Sequence, residues 1–288
     1  MHSSYKTPQV RQLAWCIGAL PLYPLTGYQA FKAGADEDIQ PWLAQLDAQP
    51  APLLSFLLTN TSPLLGARFE SYLQFFCQYG PGNQLLTANL QVSENGITRG
   101  EFDLLYRHGG QHLHLEAAVK FYLCLPDADG SDPAHWYGPQ NHDRLDLKLA
   151  KLGQQLQLAN SSAGIAALQA AGINTAPQPR YLLNGMLFSP WNSPCQNPAP
   201  IQHQGKWLWL SQVDELLSMG NEWLLLEKTD WLGAVITPQI YSAAQVKAAL
   251  TAHFTGKGFA RMLTRHVEDG CAETERYMLV HDNWPLKS

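Results

Sequence analysis

The residues with the clearest capacity for chemistry lie in "GEFDLLYRHGGQHLHLEAAVKFYL" (100–123), which holds Glu101, Asp103, Glu116 and Lys120. Carboxylates held close together can bind a hard divalent cation, and a lysine nearby can steady an attacking water or a phosphate oxygen. Whether these side chains meet depends on the backbone. Gly109-Gly110 between two alternating runs is a two-residue hairpin signal, because the favoured primed turns need positive φ. With the two glycines as the loop, His108 pairs with Gln111. The same register sets Asp103 opposite Glu116, Glu101 opposite Ala118 and Arg99 opposite Lys120. Side chains alternate, so these six share one face, while Phe102, Leu104, Tyr106, Leu113, Leu115 and Phe121 form a core face. Facing carboxylates would have Cβ atoms roughly 4.5–5.5 Å apart and would repel. A Mg²⁺ or Mn²⁺ ion would offset that repulsion. The plainer alternative is a solvated patch in which Arg99, Arg107 and Lys120 neutralise the acids as surface ion pairs.

The elements that must position this hairpin follow from periodicity. Residues 1–80 read as helical, most clearly in "SPLLGARFESYLQFFCQYG", where Leu65, Phe69, Tyr72, Leu73 and Phe76 form one stripe. Ser62 and Pro63 suggest its start and Gly80-Pro81 its end. The period then changes to two, with strands expected over 84–92, 99–108 and 111–123. A long polar loop, "PDADGSDPAHWYGPQN", follows. Helices are expected over 142–159 and 161–172, and a strand over 178–190. Beyond the Pro-rich 189–202, "KWLWL", "EWLLLEK", "GAVITP" and "ERYMLVHDNW" read as strands, with helices near 212–219 and 242–254. The expected fold is α/β, a mixed sheet flanked by helices. Its parts would be a helical segment over 1–80, a core over 81–190 and an α/β extension over 191–288.

"GEFDLLYR…HLEAAVKFYL" resembles the motif of the PD-(D/E)XK nuclease superfamily. The resemblance implies a restriction-endonuclease-like core and Mg²⁺-dependent phosphodiester cleavage in nucleic acid. It makes Asp103 a metal ligand and Lys120 the catalytic lysine. Where the superfamily has an acid two residues before the lysine, this chain has Ala118, so Glu116 or Glu101 would have to serve instead. The resemblance also implies a glutamate on the preceding helix, for which Glu70 stands at the edge of the apolar stripe. A basic or glutamine-bearing helix after the lysine strand would contact phosphates, a part matched by Arg144, Lys148, Lys151 and Gln155. "HLEAAVKFYL", "GPQNHDRLDLKLAKL", "RYLLNGMLF" and the closing "NWP" are further similar to a bacterial domain-of-unknown-function family.

Other chemistries fit less well. His112, His114 and Glu116 share a strand face and could ligate a transition metal in a loosely cupin-like way, yet no second histidine motif follows. In the bland reading the histidines rim the hairpin, or His114 touches substrate. No GxSxG or activated cysteine points to a hydrolase. The strongest rival is a nuclease fold without the chemistry, binding nucleic acid or a protein partner, with Trp191, Trp207, Trp209, Trp223 and Trp231 either stacking bases or, more commonly, forming core. The chain has 288 residues, 45% hydrophobic and 15% charged, which suits a globular protein, and its net charge of -5 argues against coating nucleic acid by bulk charge. Five cysteines without metal-site spacing suggest free thiols in the cytoplasm. "LAWCIGALPLYPL" follows Lys6 and Arg11 in the manner of a signal peptide, but Pro21 and Pro24 interrupt it.

Overall fold

The computed structural model describes residues 5–59, 62–193, 195–197, 204–220, 222–236, 240–255, 258–266 and 273–285. Among these residues the chain is mixed α/β, with ten strands and eight α-helices. In order they begin α1 (Pro8–Gly18), β1 (Gln29–Ala30), α2 (Asp36–Ala48), α3 (Ala51–Leu58) and α4 (Leu65–Tyr79). The next are β2 (Asn83–Glu94), β3 (Ile97–His108), β4 (Gln111–Cys124), β5 (Trp136–Tyr137), α5 (Leu145–Leu156), α6 (Ser162–Ala170) and β6 (Gln178–Pro190). The last are β7 (Gln204–Trp209), α7 (Val213–Leu217), β8 (Trp223–Leu226), α8 (Ala243–Thr255), β9 (Arg261–His266) and β10 (Glu273–Val280). No helix among the described residues is long and apolar enough to cross a membrane.

The chain divides into two compact units that interleave along the sequence. One comprises residues 2–119 and 149–184, the other 120–148 and 185–288. The long strands β4 and β6 and the helix α5 run on from one unit into the other.

The first unit contains the hairpin. Gly109 and Gly110 have φ of 56° and 81°, as a primed turn requires. His108 pairs with Gln111, and the expected register continues to Leu104 and Leu115. There the ladder stops. Continued pairing would send the Ala117 N–H to the carbonyl of Phe102. Instead Ala117 donates to Asp103 Oδ2 at 2.9 Å, so a carboxylate takes the place of the main chain. Asp103 is therefore not a ladder partner of Glu116, nor Glu101 of Ala118; Glu101 pairs with Gln91 on β2, and Arg99 meets Glu94 at 2.9 Å.

The expectation of one open face also fails. Helix α4, with Phe69, Tyr72, Leu73 and Phe76 buried as its stripe predicted, packs on β2 and β3. The helix starts at Leu65, two residues past Pro63, and the Ser62 hydroxyl accepts from the Leu64 N–H. The opposite side is covered as well, because Leu158, Leu168 and Ile173 cluster with Val92, Phe102 and Leu105. The Phe102 ring meets His114 edge-on at 4.7 Å. A sheet with helices on both faces leaves few positions for solvated charge.

In the second unit the end of β4 pairs with β5, and the end of β6 runs parallel to β7. Strand β7 is parallel to β10, which continues through antiparallel β9 to β8. Val213, Leu216 and Leu217 of α7 and Val246, Leu250 and Phe254 of α8 pack with Trp223, Leu263 and Tyr277. Trp207, Trp223 and Trp231 are buried, so core and not base stacking is their role. "KWLWL" and "EWLLLEK" form strands as read. In "GAVITP" residues 234–236 are not a strand and 237–238 lie outside the described residues. "ERYMLVHDNW" is a strand only as far as Val280, because a turn follows at Asp282 and Asn283.

Candidate functional site

In the first unit, the break in the hairpin ladder gathers Asp103, His114 and Glu116. Asp103 is half-buried, and its carboxylate is anchored on Ala117 as described. Glu116 is only 4% exposed and His114 is wholly buried, which corrects the view of His114 as a rim or substrate-contacting residue. His114 Nε2 lies 2.7 Å from Glu116 Oε1. The spacing suits an ion pair, but burial lowers the imidazole pKa to about 4, against the opposing pull of Asp103. Neutral His114 then donates its Nε2–H to Glu116, and Nδ1 has no hydrogen-bond partner among the described residues. The pair is a buried polar contact inside an apolar layer, costly if either member is removed.

That burial has a consequence for acid stability. An unfolded histidine takes up its proton near pH 6.5, whereas folded His114 resists it down to about 4. The stability tied to neutral His114 is complete above pH 6.5 and is lost as pH falls towards 4, in total about 3 kcal/mol. Urea unfolding at about pH 7, 5.5 and 4.5 should show this slope in wild type and a shallower one in His114→Gln. Equal slopes would assign the acid sensitivity elsewhere.

In the second unit, Lys120 emerges half-buried on β4 and meets Asp143 Oδ2 at 2.5 Å. Asp143 Oδ1 accepts from the Tyr122 hydroxyl at 3.2 Å. Burial, and then Asp143 itself, raises the Tyr122 pKa, so the phenol stays protonated and remains a donor. Asp143 is set by a tight turn: Gly138 N–H donates to the Asp143 carbonyl at 2.8 Å, and Asn141 N–H to the Gly138 carbonyl at 2.9 Å. The lysine ammonium is thus held in one place by an acid that lies outside the hairpin. Sequence reasoning missed Asp143. No spacing rule links positions 120 and 143, and only closure of the polar loop brings them together.

The remaining candidates are more dispersed. Glu70 lies on the exposed side of α4, and Glu101 is half-buried in the β2–β3 ladder. Arg144 makes a two-pronged pair with Asp146, at 2.6 and 2.9 Å, and its guanidinium lies over the Tyr137 ring. Those hydrogen bonds raise its pKa, so it is a permanent cation. Along α5, Lys148 and Gln155 are half-buried and Lys151 is exposed. Gln155 lies against the main chain of β3, where a Cβ on Gly100 would stand 2.5 Å from its Oε1.

Among the described residues, no group of three or more His, Cys, Asp or Glu side chains gathers as it would to hold a metal ion. The carboxyl oxygens of Asp103 and Glu116 are the kind of donor that suits Mg²⁺ or Mn²⁺ over softer metals, with the His114 imidazole hydrogen-bonded to Glu116 beside them. Two carboxylates suffice for Mg²⁺ when water and a phosphate complete its shell. The donor chemistry therefore fits that ion, with Asp103 the more accessible of the two.

An α/β protein with a large mixed sheet is the class that the fold defines. The family whose model matches residues 11–280 is described as a domain of unknown function, DUF1853. The chain belongs to that family. No curated protein and no solved structure matches it.

Proposed function

We propose that this protein is a metal-dependent nuclease with a PD-(D/E)XK-like, restriction-endonuclease-like site, hydrolysing phosphodiester bonds of DNA or RNA in the cytoplasm. The observation that supports it is the ladder break. Glu101, Asp103 and Ala118 are half-buried, with partial access to solvent, where β3 leaves its partner. Asp103 and Glu116 would hold Mg²⁺ or Mn²⁺, with Glu101 and Glu70 as further acids. Such an ion would supply Lewis-acid chemistry, lowering the pKa of a bound water and offsetting charge on the phosphoryl oxygens. Lys120 would orient an attacking water or stabilise the developing negative charge, and Asp143 keeps its ammonium in place. Arg144, Lys148, Lys151 and Gln155 supply donors for the phosphate backbone.

A second reading is a nuclease-like fold that binds nucleic acid or a protein without cleaving. Ala118 in place of an acid and the engagement of buried Glu116 with His114 favour it. Thermal unfolding with and without millimolar Mg²⁺ or Mn²⁺ separates the two. At tenfold saturation the first reading expects wild type to gain about 3–6 °C and Glu116→Gln to gain none. A wild type indifferent to both ions and inert towards DNA and RNA would leave the second reading standing.

A further inference from the structure

Cys16, Cys77 and Cys124 are buried and Cys195 is half-buried. Within the second unit the fold brings two of them together from distant positions. Cys124 ends β4 opposite Trp136. The Trp136 indole N–H donates to the Gly130 carbonyl at 2.9 Å. Gly130 N–H donates to the Gln196 carbonyl at 2.7 Å, and Gln196 N–H to Ala128 at 3.1 Å. A Cβ on Gly130 would stand 3.0 Å from Cys195 Cβ, so the 195–197 segment is docked beside the cross-strand partner of Cys124. Ser193 adds a hydrogen bond to Asp127 on the same loop. The two thiols lie near enough for each to shift the other's pKa.

We propose that Cys195 and Cys124 form an oxidisable dithiol, Cys195 attacking a hydroperoxide and Cys124 closing an intramolecular disulfide. Their environments differ as those roles require. Cys195 is half-buried and so open to a hydroperoxide, whereas Cys124 is buried. Proximity to Cys124 and the charge of Lys206 lower the Cys195 pKa, and proximity to Cys195 and burial raise that of Cys124. The Cys195 thiolate attacks one peroxide oxygen and the O–O bond breaks. The departing hydroxide takes the proton shed by the Cys195 thiol and leaves as water, with Cys195 as sulfenic acid. Cys124 sulfur then attacks the Cys195 sulfur, the S–O bond breaks, and the Cys124 proton leaves with the hydroxyl as a second water. Two thiols and one hydrogen peroxide give one disulfide and two waters. Cys16 and Cys77 are enclosed with raised pKa values and do not compete.

The test is mass spectrometry of the reduced full chain after exposure to about one equivalent of hydrogen peroxide, with dimedone as the sulfenic-acid trap. The expected wild-type product is a loss of two hydrogens in a peptide pair joining Cys124 to Cys195. Cys195 should be consumed about tenfold faster than Cys16 or Cys77, in keeping with its thiolate character and access. Cys124→Ser should trap dimedone on Cys195, and Cys195→Ser should abolish both products. Reaction of Cys195 no faster than the enclosed thiols, or its pairing with Cys271 or with a second chain, would overturn the proposal. The wild-type measurement decides the matter even where a variant folds poorly.

Discussion

Gly185→Ala is expected to destabilise the protein by more than about 3 kcal/mol, enough to lose most of the soluble folded protein. Gly185 has φ of 134°, a conformation that side chains of L-residues rarely adopt. The obstacle is also steric. A Cβ at this position would collide with the carbonyl oxygen of Lys120 and stand 2.7 Å from its carbonyl carbon and 3.0 Å from its nitrogen. Those atoms are main chain, so no rotamer relieves the overlap, and β6 would have to retreat from β4 at the lysine. Gly153→Ala is the control. Its Cβ would meet nothing within 4 Å, and alanine within α5 should be neutral or stabilising by up to about 1 kcal/mol. Urea midpoints for both variants make the comparison. A Gly185→Ala protein within about 1 kcal/mol of wild type would mean that the strands tolerate separation there.

Lys120→Ala and Asp103→Asn should each lower metal-dependent cleavage of nucleic acid by about 10²–10³-fold or more while leaving the fold intact. Lys120 is half-exposed, so its removal opens no core cavity. Asparagine is the informative change at Asp103, because its amide oxygen still accepts the Ala117 N–H while the charge is gone. Alanine would confound chemistry with a lost buried hydrogen bond worth about 1–3 kcal/mol. Asp143→Asn should give a smaller loss, since it frees the lysine without removing it. Circular dichroism and urea midpoints confirm the fold of each variant. Undiminished cleavage by both Lys120→Ala and Asp103→Asn would defeat the nuclease reading.

Much of the hairpin was legible because its causes are local. Adjacent glycines dictate a primed turn, and the turn dictates a register that holds from His108–Gln111 to Leu104–Leu115. Helix α4 was legible for the same reason, since a stripe of Phe69, Tyr72, Leu73 and Phe76 carries its own period. The register failed at Asp103. A carboxylate competing for a main-chain N–H leaves no trace in an alternation pattern, and the strands part where it wins. The polarity of the face failed too, because alternation does not reveal that Leu158, Leu168 and Ile173 return to cover it. His114 and Glu116 looked like surface residues and became a buried pair.

Composition and periodicity by themselves determined the α/β class, the glycine hairpin and the identity of the acids and lysine it carries. Tertiary structure alone decided which of them remain accessible. It buried Glu116, paired Lys120 with Asp143 across a closed loop and brought Cys195 beside the loop that follows Cys124. It also divided the chain into two units that share β4 and β6. The physical reason is range: turn and helix preferences act over a few residues, whereas burial and ion pairing depend on segments that meet only after the chain has folded.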